Sequence, residues 1–202
     1  MTAGSAPAAG GSEEGAPVPR VFFTADSHFG HKGILRLSAR PFPDVEAMDE
    51  AMVEAWNAAV GASDLVYHLG DFCFRGSKPA AKVLARLNGE IVLLRGNHDS
   101  ENTVKLPRWR SVHDLLEITV ERTRLVLCHY PLLEWPGAFK GAVHLHGHTH
   151  GAVPPNRQRM DVGVDVWGYR PVRLEDILKR LSAEPPYDPR SHYADAAAGE
   201  PR

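Results

Sequence analysis

The segment VFFTADSH, residues Val21–His28, is the most informative part of the sequence. An apolar run typical of a buried strand ends there directly in an Asp and a His, two residue types that bind metals. Four later apolar runs end in the same way, and the polar groups that follow them are Gly70-Asp71, Gly96-Asn97-His98-Asp99, His129 and Gly147-His148-Thr149-His150. If the five strands run parallel in one sheet, their carboxyl ends meet at one edge and the five groups converge. The simplest purpose of such convergence is a two-metal hydrolytic centre.

The length and composition predict one globular domain. The chain has 202 residues, of which 43% are hydrophobic, and its formal net charge of -2 leaves no excess of positive charge to hold a long nucleic acid. Residues 1–19 and 182–202 are rich in Ala, Gly, Ser and Pro, so we expect disordered tails around a folded domain at 20–181. No segment has the pattern of a signal peptide or a membrane span, which favours a cytoplasmic protein without a membrane partner.

Two cysteines, Cys73 and Cys128, lie close to the polar groups. We expect two reduced, buried thiols of an intracellular protein. The alternative is a redox-sensitive thiol near the metals.

Strand and helix patterns alternate in the first half of the domain. Strands are predicted at 20–25, 64–69 and 90–95, and helices at 45–60, where Asp44 can form the N-cap, and at 78–88. In the second half, the runs 115–120 and 124–128 predict a hairpin, followed by strands at 143–146 and 160–165 and a helix at 174–181. Strands that cross over through helices, followed by antiparallel strands, indicate an α/β fold with mixed sheets.

The polar groups supply mixed nitrogen and oxygen donors. Asp26 and His28 lie two residues apart and can face one ion from a turn, and Asp71 can bridge two ions because one carboxylate has two oxygens. Asn97 offers an amide oxygen, and the imidazoles of His129, His148 and His150 complete the set. Such donors without a thiolate suit Mn, Fe, Zn, Ni or Co better than Ca or Mg. Asp-x-His and Gly-Asp alone are typical of a loop or a helix cap, whereas Gly-His-Thr-His is a stronger signal because two imidazoles at that spacing rarely serve packing. All five groups in this order are hard to explain as chance.

The ordered set D-x-H, GD, GNH-D, H and GH-x-H resembles the calcineurin-like metallophosphoesterases and spans Asp26 to His150. The local text ADSHFGH, VYHLGDF, LHGHTH and VGVDVWGYRPV is similar to a small single-domain bacterial and phage branch of that family. The resemblance implies a four-layer α/β/β/α sandwich with mixed β-sheets and two divalent metal ions per chain. It places Asp26, His28 and His150 on the first metal, places Asn97, His129 and His148 on the second, and makes Asp71 the bridge. It also makes His98 the general acid or a group that stabilises the transition state, and it has Asp99 orient His98 by a hydrogen bond.

The resemblance favours a metal-dependent phosphodiesterase that acts on a nucleotide-like or other small diester. The short chain leaves little room for a capping domain that would select a large substrate. Phosphomonoesterase and nuclease activities stay open, and a long nucleic acid is the less favoured partner. A non-catalytic scaffold with this fold is a further alternative, but it does not require the complete set of ligands or His98.

Four residues outside the ligand set could contact the substrate. His31 follows His28, Arg75 follows Asp71, Tyr130 follows His129, and Trp167, with Tyr169 beside it, follows the late strand. The alternative for each is an ordinary surface, loop or packing role. His68 and His146 alternate with apolar neighbours in strands, so we expect them to support the ligands rather than to bind metal.

Overall fold

The computed structural model describes residues 19–74 and 76–188. They form two mixed β-sheets. The first contains β1 (Val21–Thr24), β2 (Leu65–His68), β3 (Glu90–Leu94), β4 (Trp109–His113) and β9 (Val172–Arg173), in the order β4-β3-β2-β1-β9. The second contains β5 (Leu115–Val120), β6 (Thr123–Cys128), β7 (Val143–His146) and β8 (Arg159–Asp161), in that order. The predicted α/β class with mixed sheets is confirmed.

Strand direction places the ends of the motif strands together. In the first sheet β1, β2, β3 and β4 are parallel, and β9 pairs antiparallel with β1. In the second sheet β5 and β6 form the predicted hairpin, while β6, β7 and β8 are parallel. The five polar groups therefore divide between two sheets rather than lying on one. The sheets meet beside the first group, where Gly163 pairs with Ala25 in an isolated parallel bridge.

Helix α2 (Val45–Ala59) covers one face of the first sheet. The carboxylate of Asp44 caps it by accepting a hydrogen bond from the N–H of Ala47, as predicted. Met48, Met52 and Trp56 are buried on the inner side of this helix. The remaining helices are shorter: α1 (Ile34–Leu37), α3 (Ser77–Leu84), α4 (Glu101–Val104) and α5 (Leu174–Ser182).

The core has two main layers, one on each face of the first sheet. Phe22 packs into the cluster that contains the α2 side chains, whereas its neighbour Phe23 packs into the cluster between the sheets. Alternate residues of a strand point to opposite faces, so β1 is buried on both. On the outer face of the second sheet, Val126 packs against Trp135 and Ala142, and the loop that joins them contains one 3₁₀ turn. The fourth layer of the sandwich is thus a short loop layer.

Several boundaries differ from the sequence expectation. Strands β4 and β9 were not predicted, because β4 is an edge strand with one buried residue and β9 has only two residues. The strand expected at 160–165 ends at Asp161, and the helix expected at 78–88 ends at Leu84. Both cysteines are buried, as expected.

The limits of the folded domain stay a prediction. The tail predicted at 1–19 lies outside the described residues except for Pro19, and the tail predicted at 182–202 lies outside them beyond 188. Ser182 belongs to α5, and Tyr187 stacks on Trp135 with ring centroids 4.6 Å apart. Within the described residues, no helix has both the length and the apolar character that a membrane span needs.

Candidate metal centre

One group of donors lies where β1 and β7 end. Asp26 and His28 belong to the turn that follows β1, and His150 belongs to the turn that follows β7. One donor atom from each of these residues lies within 4.8 Å of the others. Two residues contributed by the first sheet and one contributed by the second can therefore surround one ion.

A second group lies next to the first. Donor atoms of Asp71, His129 and His148 also lie within 4.8 Å of one another. The amide oxygen of Asn97 is 3.0 Å from Nε2 of His129, so this side chain belongs to the same group. The structure thus brings together all seven residues that the sequence predicted as metal ligands.

Asp71 lies between the two groups. Its Oδ2 is 3.6 Å from Nε2 of His28 and 3.6 Å from Nε2 of His129. Two ligands that each lie about 2.0–2.2 Å from one ion are about 3–3.6 Å apart, depending on the angle between them. The same carboxylate oxygen of Asp71 could therefore bind both an ion held by His28 and an ion held by His129.

The chemistry of the donors fits divalent cations. Nε2 of His28 is buried and has no hydrogen-bond partner among the described residues. Burial, reinforced by nearby His150 and Arg40, lowers the pKa of His28 to about 2, so the imidazole is neutral. Burial and the charge of Asp161 raise the pKa of Asp26 well above its usual range. The Nε2 lone pair of His28 is thus buried without a hydrogen bond and lies close to buried carboxylates. A bound cation would satisfy both the lone pair and the carboxylates.

Most of the candidate ligands have an unusual backbone conformation. Asp26, His28, Asp71, His148 and His150 all have positive φ, between 49° and 69°. Non-glycine residues rarely adopt this left-handed conformation, and such residues cluster at functional sites. The sharp turns that result bring side chains that follow a strand back over its end.

Glycines allow the loops to approach closely. A Cβ on Gly70 would lie 2.6 Å from Nδ1 of His129 and 2.7 Å from the backbone of Gly96. A Cβ on Gly147 would lie 2.6 Å from Oδ2 of Asp26. Side chains at these positions would therefore collide with the site, which explains why Gly precedes Asp71 and His148.

Hydrogen bonds from Nδ1 orient two of the histidines. Nδ1 of His129 is 2.7 Å from the carbonyl oxygen of Leu69, to which it donates. Nδ1 of His150 is 2.6 Å from Oδ2 of Asp165. Each bond places the ring proton on Nδ1 and leaves the lone pair of Nε2 for a metal.

A buried ion pair behind His150 was not predicted. The Arg40 guanidinium donates to both oxygens of Asp165 at 2.8 Å, and also to the carbonyl oxygens of Asp26 and Ser27. Arg40 is only 4% exposed, so this charge is held by its partners rather than by water. Arg40 therefore holds the turn that carries Asp26, and it also holds the Asp165 carboxylate in place to accept the hydrogen bond from His150. Arg40 and Asp165 lie 125 residues apart in the chain, so no local sequence pattern could have predicted their contact.

The expected role of Asp99 needs correction. Its carboxylate accepts hydrogen bonds from the backbone N–H groups of Asp71, Phe72 and Gly96 at 2.8–3.0 Å, rather than from the ring of His98. The reason is the turn itself, which points Asp99 inward while His98 points to solvent. Asp99 therefore joins the Asp71 loop to the Asn97 loop.

His98 is exposed at the edge of the candidate centre. Its backbone N–H donates to Oδ1 of Asp71 at 2.8 Å, and its ring centroid is 5.4 Å from that of His28. The side chain lines a cavity of about 350 Å³ that also contacts His28, Asp71 and His150. His98 can therefore reach a molecule bound over both groups without itself belonging to either.

The predicted substrate residues have different surroundings. His31 lines the same cavity, and Tyr130 is 44% exposed with its ring edge-on to His129 and His148. Trp167 is instead a packing residue: its indole N–H donates to the carbonyl of Asp161, and the Arg180 guanidinium lies over its ring.

Two further predictions concern neighbouring residues. Tyr169 packs edge-on against Phe42, so it is a packing residue like Trp167. Arg75 lies outside the described residues.

The two strand histidines expected to support the ligands are buried. Nε2 of His68 is 2.8 Å from the hydroxyl of Ser27, and Nδ1 of His146 is 2.9 Å from the carbonyl oxygen of Gly147. Both contact the loops that carry candidate ligands. Asp161, for which no role was predicted, accepts hydrogen bonds from Thr149, Gly151 and Gly163 and so holds the His148–His150 turn.

Comparison with known proteins agrees with this architecture. A family model described as calcineurin-like phosphoesterase matches residues 19–167. An uncharacterized protein of Methanocaldococcus jannaschii is 32% identical over 80% of this chain and 91% of its own length. The gene 66 protein of Mycobacterium phage L5 is 28% identical over 81% of this chain and 96% of its own length. The crystal structure of a protein of unknown function from Aquifex aeolicus has the same fold, with a TM-score of 0.65 and 22% identity over 81% of this chain and 100% of that one.

Proposed function

The chain belongs to the calcineurin-like phosphoesterase family, and we propose that it is a metal-dependent phosphodiesterase acting on nucleotide-like or other small diesters. The observation that carries the proposal is the position of Asp71, 3.6 Å from a histidine of each donor group. We propose that Asp26, His28 and His150 hold one ion, that Asn97, His129 and His148 hold a second, and that Asp71 bridges them. The donor set suits Mn, Fe, Zn, Ni or Co.

The metal-binding residues, His98 and Asp99 have different roles in the proposed reaction. A pair of bound metals would supply a nucleophile at neutral pH and neutralise charge on the phosphate. His98 lies beside the donor groups and in the same cavity, where its ring can donate a proton to the departing oxygen of the substrate. Asp99 fixes the loop on which His98 is mounted.

The size of the cavity favours a small substrate. Its volume is about 350 Å³, which is at the lower end of the range for small-molecule sites. The net charge of -2 gives no general attraction for a polyanion. We therefore place a small diester ahead of a long nucleic acid. A non-catalytic scaffold would not need His98 in the cavity, and a phosphomonoesterase is distinguished by the assays that follow.

Replacing His98 tests the catalytic proposal. His98→Ala or His98→Asn should keep both metals but lose most turnover of bis-p-nitrophenyl phosphate. The loss should be greater for a diester with an alkyl leaving group, because an alkoxide needs protonation more than p-nitrophenolate does. His113→Ala, on β4 and away from the cavity, is the matched control. Turnover that is unchanged in His98→Ala on both substrates would rule out the general acid.

Replacing Asp71 tests the bridge. Asp71→Asn should reduce metal occupancy at both groups, because an amide has only one oxygen and no charge. Elemental analysis measures this directly, and two metals per chain in Asp71→Asn would argue against a bridging role. A substrate panel of phosphomonoesters, cyclic nucleotides, dinucleotides and single-stranded nucleic acid, each with Mn, Ni, Zn and Fe, identifies the preferred class of ester.

A further inference from the structure

An aromatic pair stands at the edge of the candidate centre. The rings of His31 and Phe74 are stacked, with centroids 3.8 Å apart and planes inclined by 7°. Phe74 is 47% exposed, so much of its aromatic surface is open to solvent. We call these two residues the aromatic pair.

The aromatic pair is mounted on the same two loops that carry candidate ligands. The backbone N–H of Phe74 donates to the carbonyl of Phe29 at 3.1 Å, and the N–H of His31 donates to the carbonyl of His28 at 3.0 Å. Cys73 and Phe29 form an isolated parallel bridge between the loops. The pair is therefore held at a fixed position relative to His28 and Asp71.

Two adjoining cavities meet at the aromatic pair. The cavity of about 350 Å³ over the donor groups and a second cavity of about 600 Å³ share His31. The second is lined by Gly30, His31, Lys32, Gly33 and Phe74. The ring centroid of Phe74 is 5.6 Å from that of His98, so a residue that lines only the second cavity lies next to a residue that lines only the first. An anionic group over the donor groups and a flat apolar group against Phe74 would thus occupy both cavities.

We propose that the aromatic pair is the platform on which the base of a small nucleotide stacks while its phosphate lies over the donor groups. Phe74 is then the residue that makes the site prefer a nucleotide to an alkyl phosphate. This inference rests on the proposed function for the position of the phosphate. Every nucleobase has a flat π face, so stacking would select for a base without selecting which one. Lys32, which lines the second cavity, adds a positive charge next to the ligand.

The test is an equilibrium binding comparison on the manganese-loaded full chain. Two probes are titrated by calorimetry: an adenine nucleoside phosphonate and ethylphosphonate, neither of which has an ester bond to phosphorus that could be hydrolysed. The wild type should bind the nucleoside probe more tightly. Phe74→Leu, which keeps an apolar side chain but removes the aromatic face, should reduce this preference about 5- to 150-fold, the range that loss of one base–aromatic stack produces. The affinity for ethylphosphonate should not change.

Two further variants separate stacking from general damage. Phe74→Trp should retain the preference, because it restores an aromatic face. Phe139→Leu makes the same change at an aromatic residue that is 60% exposed and lines neither cavity, and it should leave the preference unchanged. An equal affinity of the wild type for both probes, or an unchanged preference in Phe74→Leu, overturns the proposal.

The result is separable from the proposed function. If the wild type hydrolyses no phosphate ester with any metal but Phe74→Leu still loses the preference, the proposed function fails and the platform stands. If diesters are hydrolysed and the preference is unaffected by Phe74→Leu, the platform fails alone.

Discussion

Replacing Asp99 with Asn distinguishes the role seen in the structure from the role that the sequence predicted. Oδ2 of Asp99 accepts from the N–H groups of Asp71 and Gly96 at 2.8 and 2.9 Å, and Oδ1 accepts from Phe72 at 3.0 Å. An Asn has one acceptor oxygen, so its NH₂ group must face at least one of these donors. Asp99 is 7% exposed, and water therefore has little access to the donor that loses its partner.

The size of the effect follows from this count of partners. Leaving one buried backbone N–H unsatisfied costs about 1–3 kcal/mol, and a hydrogen bond to a charged acceptor contributes about 1.5–3 kcal/mol. Burial raises the pKa of Asp99, so removal of the charge returns part of this free energy. We therefore expect Asp99→Asn to lower the free energy of unfolding by about 1–3 kcal/mol at neutral pH.

Urea denaturation followed by circular dichroism measures this difference. EDTA should be present, so that metal binding does not mask the change in the apo protein. Asp114→Asn is the control, because the side chain of Asp114 is 90% exposed and its replacement should change stability by less than about 0.5 kcal/mol. An Asp99→Asn protein that unfolds at the wild-type urea concentration but has lost turnover would refute the loop-joining role and restore the orientation of His98.

Three other outcomes test the structure at separate places. Asp165→Asn removes the carboxylate that accepts a hydrogen bond from the ring of His150 and leaves Arg40 as a buried charge without its ion-pair partner. The metal affinity of the first group should therefore fall about 10- to 100-fold, as measured by chelator competition. Removal of metal should lower the melting temperature measured by calorimetry, because metal at 100 times its dissociation constant adds about 2.7 kcal/mol to the free energy of unfolding; an equal melting temperature with and without metal contradicts this. Hydrogen bonds from Arg20 and from the N–H groups of Gly61 and Arg20 lower the pKa of Asp64 from 3.8 to about 2, so this carboxylate stabilises the fold above about pH 4 and the stabilisation is lost as the pH falls towards 2. Because Arg20 is 47% exposed, we expect only about 1–2 kcal/mol from this interaction, and the stability gap between wild type and Asp64→Asn in urea should shrink over that interval; a gap that does not depend on pH would contradict it.

The sequence predicted the elements whose signal is local. The apolar runs before Asp26, Asp71 and His148 identify buried strands, and polar residues directly after parallel strands must lie at one edge of a sheet. Helix α2 was predicted with its cap because Asp44 and the buried side of the helix form one continuous pattern. For these elements a few neighbouring residues determine the outcome.

The sequence could not predict contacts that depend on how distant segments meet. The division of the five groups between two sheets depends on strand pairing, which an apolar run does not encode. The direction of a side chain within a turn is equally hidden, so the sequence could not show that Asp99 accepts from backbone N–H groups or that the indole of Trp167 donates to Asp161. For the same reason Phe74, which follows Asp71 by three residues, gave no signal, although its ring stacks on His31 at the edge of the site.

The left-handed turns at the donor residues have a consequence for how this fold trades stability against activity. Five non-glycine residues with positive φ each cost the apo protein roughly 1 kcal/mol, a sum comparable with a large part of the net stability of an ordinary domain. Glycine at a single one of these positions, such as His148→Gly, should therefore yield a more stable but metal-poor protein. The backbone strain at these turns is therefore the stability that the fold gives up in order to present its metal-binding side chains.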